Sequence, residues 1–251
     1  MKKILIGLGQ YFLFIYEIII SLFLPPFEKQ ILIYEIYKIG VKSLPVCLMT
    51  SFAVGMVLGL QTGMASISVL NEPAYIGTVV TFSLVKELGP ILTAVVLVGR
   101  VAAAITAEIG TMRVTEQIDA MYTLGTDPVK YLIIPRVLAF TIVIPILTII
   151  SNIVGITGGG IISYLRFDIP STIYIRDCLD YLYLNDFFHG LIKAIIFGIM
   201  ISTIACYKGF YTEGGAEGVG RATTSCVVMS IVCLLIGDYF LSSLLIALGI
   251  G

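Results

Sequence analysis

The chain has 251 residues, 58% of them hydrophobic and only 12% charged, with a net charge of −1 and a mean hydropathy of +1.04. Water-soluble domains carry about 25% charged residues, so the composition excludes a water-facing globule and predicts an all-α integral membrane protein. A net charge this close to zero gives no reason to expect a nucleic-acid partner.

Lys2 and Lys3 precede an apolar run that reaches about Leu24 and is closed by Pro25-Pro26. No small-residue cleavage site follows, so the run is expected to stay on the protein. Glu17 would sit near mid-bilayer if residues 4–24 spanned, and the segment is therefore expected to lie in the cytoplasmic interface, within an elbow region covering 1–40. Apolar windows of about twenty residues then predict five spans, at 44–70, 74–109, 131–163, 187–207 and 222–249, in a transmembrane core covering 44–249. The second, at about 36 residues, measures roughly 54 Å as a straight helix against about 30 Å of hydrocarbon. It must tilt, protrude or break, and Gly89-Pro90 is the weak point because Pro90 removes a backbone donor.

In the first span Gly55, Gly59 and Gly63 fall on one helix face, the spacing that lets another helix approach closely within the chain or between two copies. The second span carries Lys86, Glu87, Arg100 and Glu108. Charges inside an apolar span cost roughly 2.5–3.5 kcal/mol each on insertion scales and mark a pathway or an internal contact. Glu87, midway along, must face protein or a water-filled cavity; its neighbour Lys86 points elsewhere round the helix, and Arg100 and Glu108 are expected to brace adjacent helices. Between the second and third spans lies the polar insert RVTEQIDAMYTLGTDP. It predicts a short helix opened by Thr115-Glu116-Gln117, striped by Ile118, Met121 and Leu124, and ended by Gly125. A helix this short is marginal in water and needs a partner surface; its polar face offers Arg113, Glu116, Gln117 and Asp119. The outer segment 164–186 is long enough for an amphipathic helix on the outer surface. Lys193, about four residues inside the fourth span near its outer end, is the other intramembrane charge that marks a functional site, unless it snorkels outward.

With the N-terminus inside, Lys2, Lys3, Lys29, Lys38, Lys42, Arg113, Lys130, Arg136, Lys208 and Arg221 fall on the cytoplasmic side and only Arg166 and Arg176 outside, where Glu72, Asp168, Asp177, Asp180 and Asp186 lie. The positive-inside rule therefore puts the 111–127 insert and the 208–221 loop in the cytoplasm and the C-terminus outside. Five cysteines (Cys47, Cys178, Cys206, Cys226, Cys233) form no CxxC pair and read as small packing residues, and His189 alone builds no metal site and reads as a helix-end or interfacial residue. No GxxxxGK[ST] and no catalytic set is present, and the glycine cluster in TEGGAEGVGRATT reads as a cytoplasmic turn. No catalytic residue, metal or cofactor is expected.

Three stretches carry a resemblance: GMVLGLQTG at 55–63, KELGPILTAVVLVGRVAAAITAEIGTMRVTEQIDAMYTLGTDPVKYLIIPRVLA at 86–139, and EGGAEGVGRATTSCVV at 213–228. From about residue 40 onward the chain resembles the MlaE/YrbE permease family. The resemblance implies a single permease domain over 1–251, the membrane subunit of an ABC-type transporter that moves phospholipids. Two copies form the core, each with an interfacial helix and five spans. A cytoplasmic ATPase docks between the second and third spans, and an MCE-domain protein relays lipid on the outer face. It implies ATPase-facing roles for Arg113, Glu116, Gln117 and Asp119 and places Glu87 and Lys193 near the lipid cavity. The home it implies is a bacterial inner membrane or a related organelle envelope. A rival class, an ion-gradient-driven secondary transporter using Glu87 as carrier, calls for an internal repeat, and no obvious one is found.

Overall fold

The structure, a computed structural model, describes residues 2–22, 29–70, 75–180 and 182–249. Pro25-Pro26 and Glu72, used in the reading above, lie outside the described residues. The described chain is helical, with no strand: α1 Lys2–Leu22, α2 Lys29–Gly40, α3 Leu44–Leu70, α4 Ile76–Val114, α5 Gln117–Thr123, α6 Val129–Phe167, α7 Ser171–Asp180, α8 Leu184–Phe210 and α9 Gly215–Ala247. With α2 leading into α3, the helices α3, α4, α6, α8 and α9 are long and apolar enough to cross a membrane. In hydrocarbon every backbone polar group must be satisfied within the segment, which is why the apolar runs form helices. The five expected spans are present. Four run longer than their apolar windows, and the end that moves furthest is the start of α9, at Gly215 instead of 222. Polar end residues carry these helices past the hydrophobic windows.

The weak point at Gly89-Pro90 does not break α4. The helix widens there into a π-turn over Leu84–Leu88, with the Gly89 N–H bonded to Leu84 O. A proline ring would collide with the carbonyl of a regular turn, and the wider turn relieves the collision. The same arrangement recurs at the start of α6, where the π-turn Val129–Ile133 precedes Pro135. A third π-turn, Val98–Ala102, holds the exposed Arg100 and has no proline beside it.

The chain divides into two compact units. The first gathers residues up to 41, 97–143 and 198–233. In it α1 packs on the Val129–Ile133 turn and on the end of α8. Phe14, 1% exposed, sits among the rings of Tyr207, Phe210 and Tyr211. Tyr11 and Thr203 share a hydroxyl hydrogen bond of 2.9 Å, and Tyr207 donates to Gly7 O.

The second unit gathers 42–96, 144–197 and residues from 234 onward. Its seam is the glycine row. A Cβ at Gly55 would overlap the Gly155 carbonyl, one at Gly59 would come within 2.9 Å of Gly159 O, and one at Gly63 would overlap the Phe167 ring. Ser51 Oγ donates to Ser151 O at 2.5 Å along the same contact. The row is thus used inside the chain, between α3 and α6. Beside it α7 packs on the start of α4, and Tyr174 donates its hydroxyl to Ile156 O.

Candidate functional site

The described residues bring the two intramembrane candidates together in the second unit. The π-turn at Leu84–Leu88 presents Lys86 and Glu87 in different directions. Lys86 pairs with Asp186 at 3.3 Å and lies 4.7 Å over the Phe82 ring. Glu87 receives a hydrogen bond from Lys193 Nζ. Lys193 also meets Asp238 Oδ1 at 2.5 Å and donates to Ser242 Oγ at 2.9 Å. His189 Nε2 lies 3.6 Å from Glu87 Oε1. The Lys193 side chain is fully buried, so it does not snorkel; Glu87 and Asp238 keep 37% and 22% of their side chains exposed.

Local sequence builds this cluster. Asp186, His189 and Lys193 recur at helical spacing, so α8 turns one polar stripe toward the wide turn of α4. Gly190 in the middle of that stripe lets the Val85 carbonyl approach to a distance that a Cβ would forbid. On α9, Asp238 and Ser242 are one turn apart, and Ser242 Oγ lies 3.2 Å from Glu87 Oε1. A lone ammonium in hydrocarbon is expensive; two carboxylates and a hydroxyl offset that cost. The accessible side of the group is the carboxylate side.

Sequence reasoning found Glu87 and Lys193 but not Asp238, Ser242 or the part played by His189. His189 lies near the start of α8, as a helix-end residue, and is buried beside Glu87. Asp238 is the only charged residue after Arg221, a signal that was available.

The candidates in the insert between the second and third spans lie in the first unit. The helix between α4 and α6 begins at Gln117, two residues later than expected. Glu116 breaks the path from α4 with φ 60, and its N–H bonds to Arg113 O. Arg113 Nη1 meets Asp119 Oδ1 at 2.5 Å, and Gln117 Nε2 donates to Thr115 Oγ1. Gly125 ends α5 with φ 73; Gly125 N–H bonds to Tyr122 O and Thr126 N–H to Met121 O, the paired bonds of a Schellman cap. Asp127 then caps α6 through the Val129 N–H. Of the expected stripe only Ile118 is buried; Leu124, at the cap, is 81% exposed and Tyr122 lies open beside it. Partial burial, then the negative fields of Glu17 and Asp127, raise the Tyr122 phenol above the usual tyrosine range. The expected pairing of Glu108 is present: it meets Lys38 and Arg136, each at 2.7 Å.

Two concavities open on the described surface. One, of about 840 Å³, runs along α9 from Glu217 to Cys233. The other, of about 650 Å³, lies between α6 and α7, with no charged residue in its lining. Among the described residues no group of three or more His, Cys, Asp or Glu is placed to hold a metal ion.

A family model described as Permease MlaE matches residues 32–244. The chain belongs to the MlaE permease family. A probable ABC transporter permease protein of Rickettsia prowazekii is 47% identical over 240 residues, covering 95% of this chain and 92% of its own. A probable ABC transporter permease protein of Synechocystis is 44% identical over 211 residues, covering 84% and 80%. One from Pyropia yezoensis is 38% identical over the same length, with the same coverage. The MlaE match takes in the intramembrane cluster as far as Ser242 and the whole α4–α5–α6 hairpin.

Proposed function

We propose that this MlaE permease moves phospholipid between membranes, driven by ATP hydrolysis in a separate cytoplasmic subunit. The observation that carries the reading is α5: a helix too short to persist alone, capped at its end, pinned by Ile118 and exposing Leu124 and Tyr122 between two long spans. Such an element suits a partner's groove. Arg113, on the last turn of α4, and Asp119 on α5 fix each other, and Glu116 and Gln117 stand exposed beside them. The relatives' names, ABC transporter permease proteins, favour an ATPase as that partner.

On this reading 1–251 is one permease domain, with the N-terminus cytoplasmic and the C-terminus periplasmic in a bacterial inner membrane. Two copies associate. The long open face of α9, with Val228, Val232, Leu235 and Ile236 exposed, supports a second copy there. Glu87 and Asp238, held in place by the buried Lys193, meet the lipid headgroup, and an MCE-domain protein receives lipid at the outer face. ATP binding closes the ATPase pair, α5 is displaced, and the path narrows. The coupling holds only if the two ATPase states bind α5 with different free energies.

The test is co-purification. Arg113→Glu combined with Glu116→Arg is expected to reduce ATPase recovery with the permease by about tenfold, as reversal of interface charges does. Undiminished recovery and undiminished lipid-stimulated turnover would remove the docking assignment.

A further inference from the structure

The first unit contains an ion cluster to which the transport reading gives no role. Glu35 and Lys38 lie on α2, Glu108 on the last turns of α4 before α5, and Arg136 near the start of α6 just after it. Arg136 Nη2 donates to Glu108 Oε1 at 2.7 Å, Lys38 Nζ donates to Glu108 Oε2 at 2.7 Å, and Arg136 Nε lies 3.4 Å from Glu35 Oε1. Arg136 and Glu35 keep only 4% and 6% of their side chains exposed, whereas Lys38 and Glu108 keep 29% and 40%. We propose that these four are positioning residues that bind the two legs of the α5 hairpin to each other and to α2, so that a displacement of α5 is carried into α4 and α6 together. The proposal rests on the ATPase-driven reading given above.

Two features favour a joint over a static clamp. A buried ion pair is often less stable than an apolar replacement of the same size, so stability alone does not account for an arginine here. The guanidinium is also incompletely used. Among the described residues, Arg136 Nε and Nη1 and Glu35 Oε2 have no hydrogen-bond partner. Arg136 makes one short bond to Glu108 and only a long contact to Glu35. A small rotation of the planar fork onto Glu35 converts that contact into a two-bond pair. The cluster therefore has two pairings open to it, Arg136 on Glu108 or Arg136 on Glu35, and a shift of α4 against α6 selects between them. An element with two discrete arrangements is what transmission of a displacement requires.

The test uses the complete transporter, the full-length permease with its ATPase and outer-face partner, in phosphatidylethanolamine–phosphatidylglycerol liposomes. ATP hydrolysis and transfer of a fluorescent phospholipid are read in the same vesicles. Glu108→Gln is expected to keep ATPase recovery and hydrolysis within about twofold of the parent while lipid moved per ATP falls about tenfold, a coupling loss of ordinary size. Glu108→Asp is expected to recover about half of that loss, since it restores an acceptor for Arg136. Lys38→Gln, at the exposed edge, is expected to lower the same ratio about threefold and serves if Glu108→Gln does not accumulate. An unchanged ratio in both Glu108→Gln and Lys38→Gln overturns the proposal. So does a parallel fall in hydrolysis, transfer and thermal stability, which would make the cluster a structural clamp. A parent permease that recruits no ATPase overturns the underlying reading first, and the proposal with it.

Discussion

Arg136 in the first unit and Lys193 in the second are chemical counterparts: each is a buried cation held between two carboxylates, Glu35 and Glu108 in one case, Glu87 and Asp238 in the other. The clusters differ in what closes them. Lys38 pairs with Glu108, so with its acids ionised the first cluster is neutral. Among the described residues no second lysine or arginine closes the other; Ser242 does, with His189 3.6 Å from Glu87, and both carboxylates stay partly accessible. A neutral cluster lets helices be joined without attracting a ligand. An accessible pair of carboxylates in an apolar span is open to a ligand, and the headgroup role proposed above for the second cluster rests on this difference.

The comparison is broken most severely by Lys193→Met. Stranding Glu87 and Asp238 is expected to cost about 3 kcal/mol of stability, the lower end for breaking a buried pair, because both acids reach solvent. Thermal unfolding of the purified permease measures it; an unshifted midpoint would show that the buried ammonium contributes nothing. Replacing Glu87, Lys193 and Asp238 together by apolar residues is expected to restore stability without restoring transport, which separates the two roles of the cluster.

Next in size is the glycine seam. Gly55→Ala is expected to cost about 2 kcal/mol, as overpacking does, and more than Gly59→Ala, since the new methyl overlaps backbone at Gly155 but only crowds it at Gly159. The reverse order in unfolding midpoints would place the tight contact elsewhere. Glu87→Ala is expected to slow phospholipid transfer about tenfold, or roughly 1.4 kcal/mol of barrier, with ATPase assembly intact. Unchanged transfer would return the second cluster to a purely structural role. Arg221→Ala marks the floor. Its exposed pair with Glu217, one helical turn away, is expected to contribute less than about 0.5 kcal/mol, so a larger loss of stability would show that this end of α9 is covered.

The spans were legible because hydrocarbon leaves the chain so few options, and hydropathy alone located all five. Their ends were less so, since Gly214 and Gly215, both at positive φ, place the start of α9 well before its apolar run. Pro90 flagged an irregularity, but a break and a wide turn leave the same mark in sequence, and packing against Gly190 selects the turn. Glu87 and Lys193 stood out as charges among apolar neighbours. Asp238 is an equally isolated charge, but nothing in the sequence names its partner, which is Lys193 on α8. The row at Gly55, Gly59 and Gly63 announced a close approach without naming the other side; Gly155 and Gly159 supply it. In the α4–α5–α6 hairpin, Gly125 marked the end of α5 correctly, whereas the positive φ of Glu116 had no sequence signal.

The central claim is that energy enters through α5 from a subunit this chain lacks. Phospholipid transfer between vesicles tests it directly, with the permease reconstituted alone and with its ATPase, in the presence of ATP or of an imposed ion gradient. The account predicts transfer only when ATPase and ATP are both present, and its loss with Arg113→Glu plus Glu116→Arg. Transfer by the permease alone on an ion gradient would contradict it.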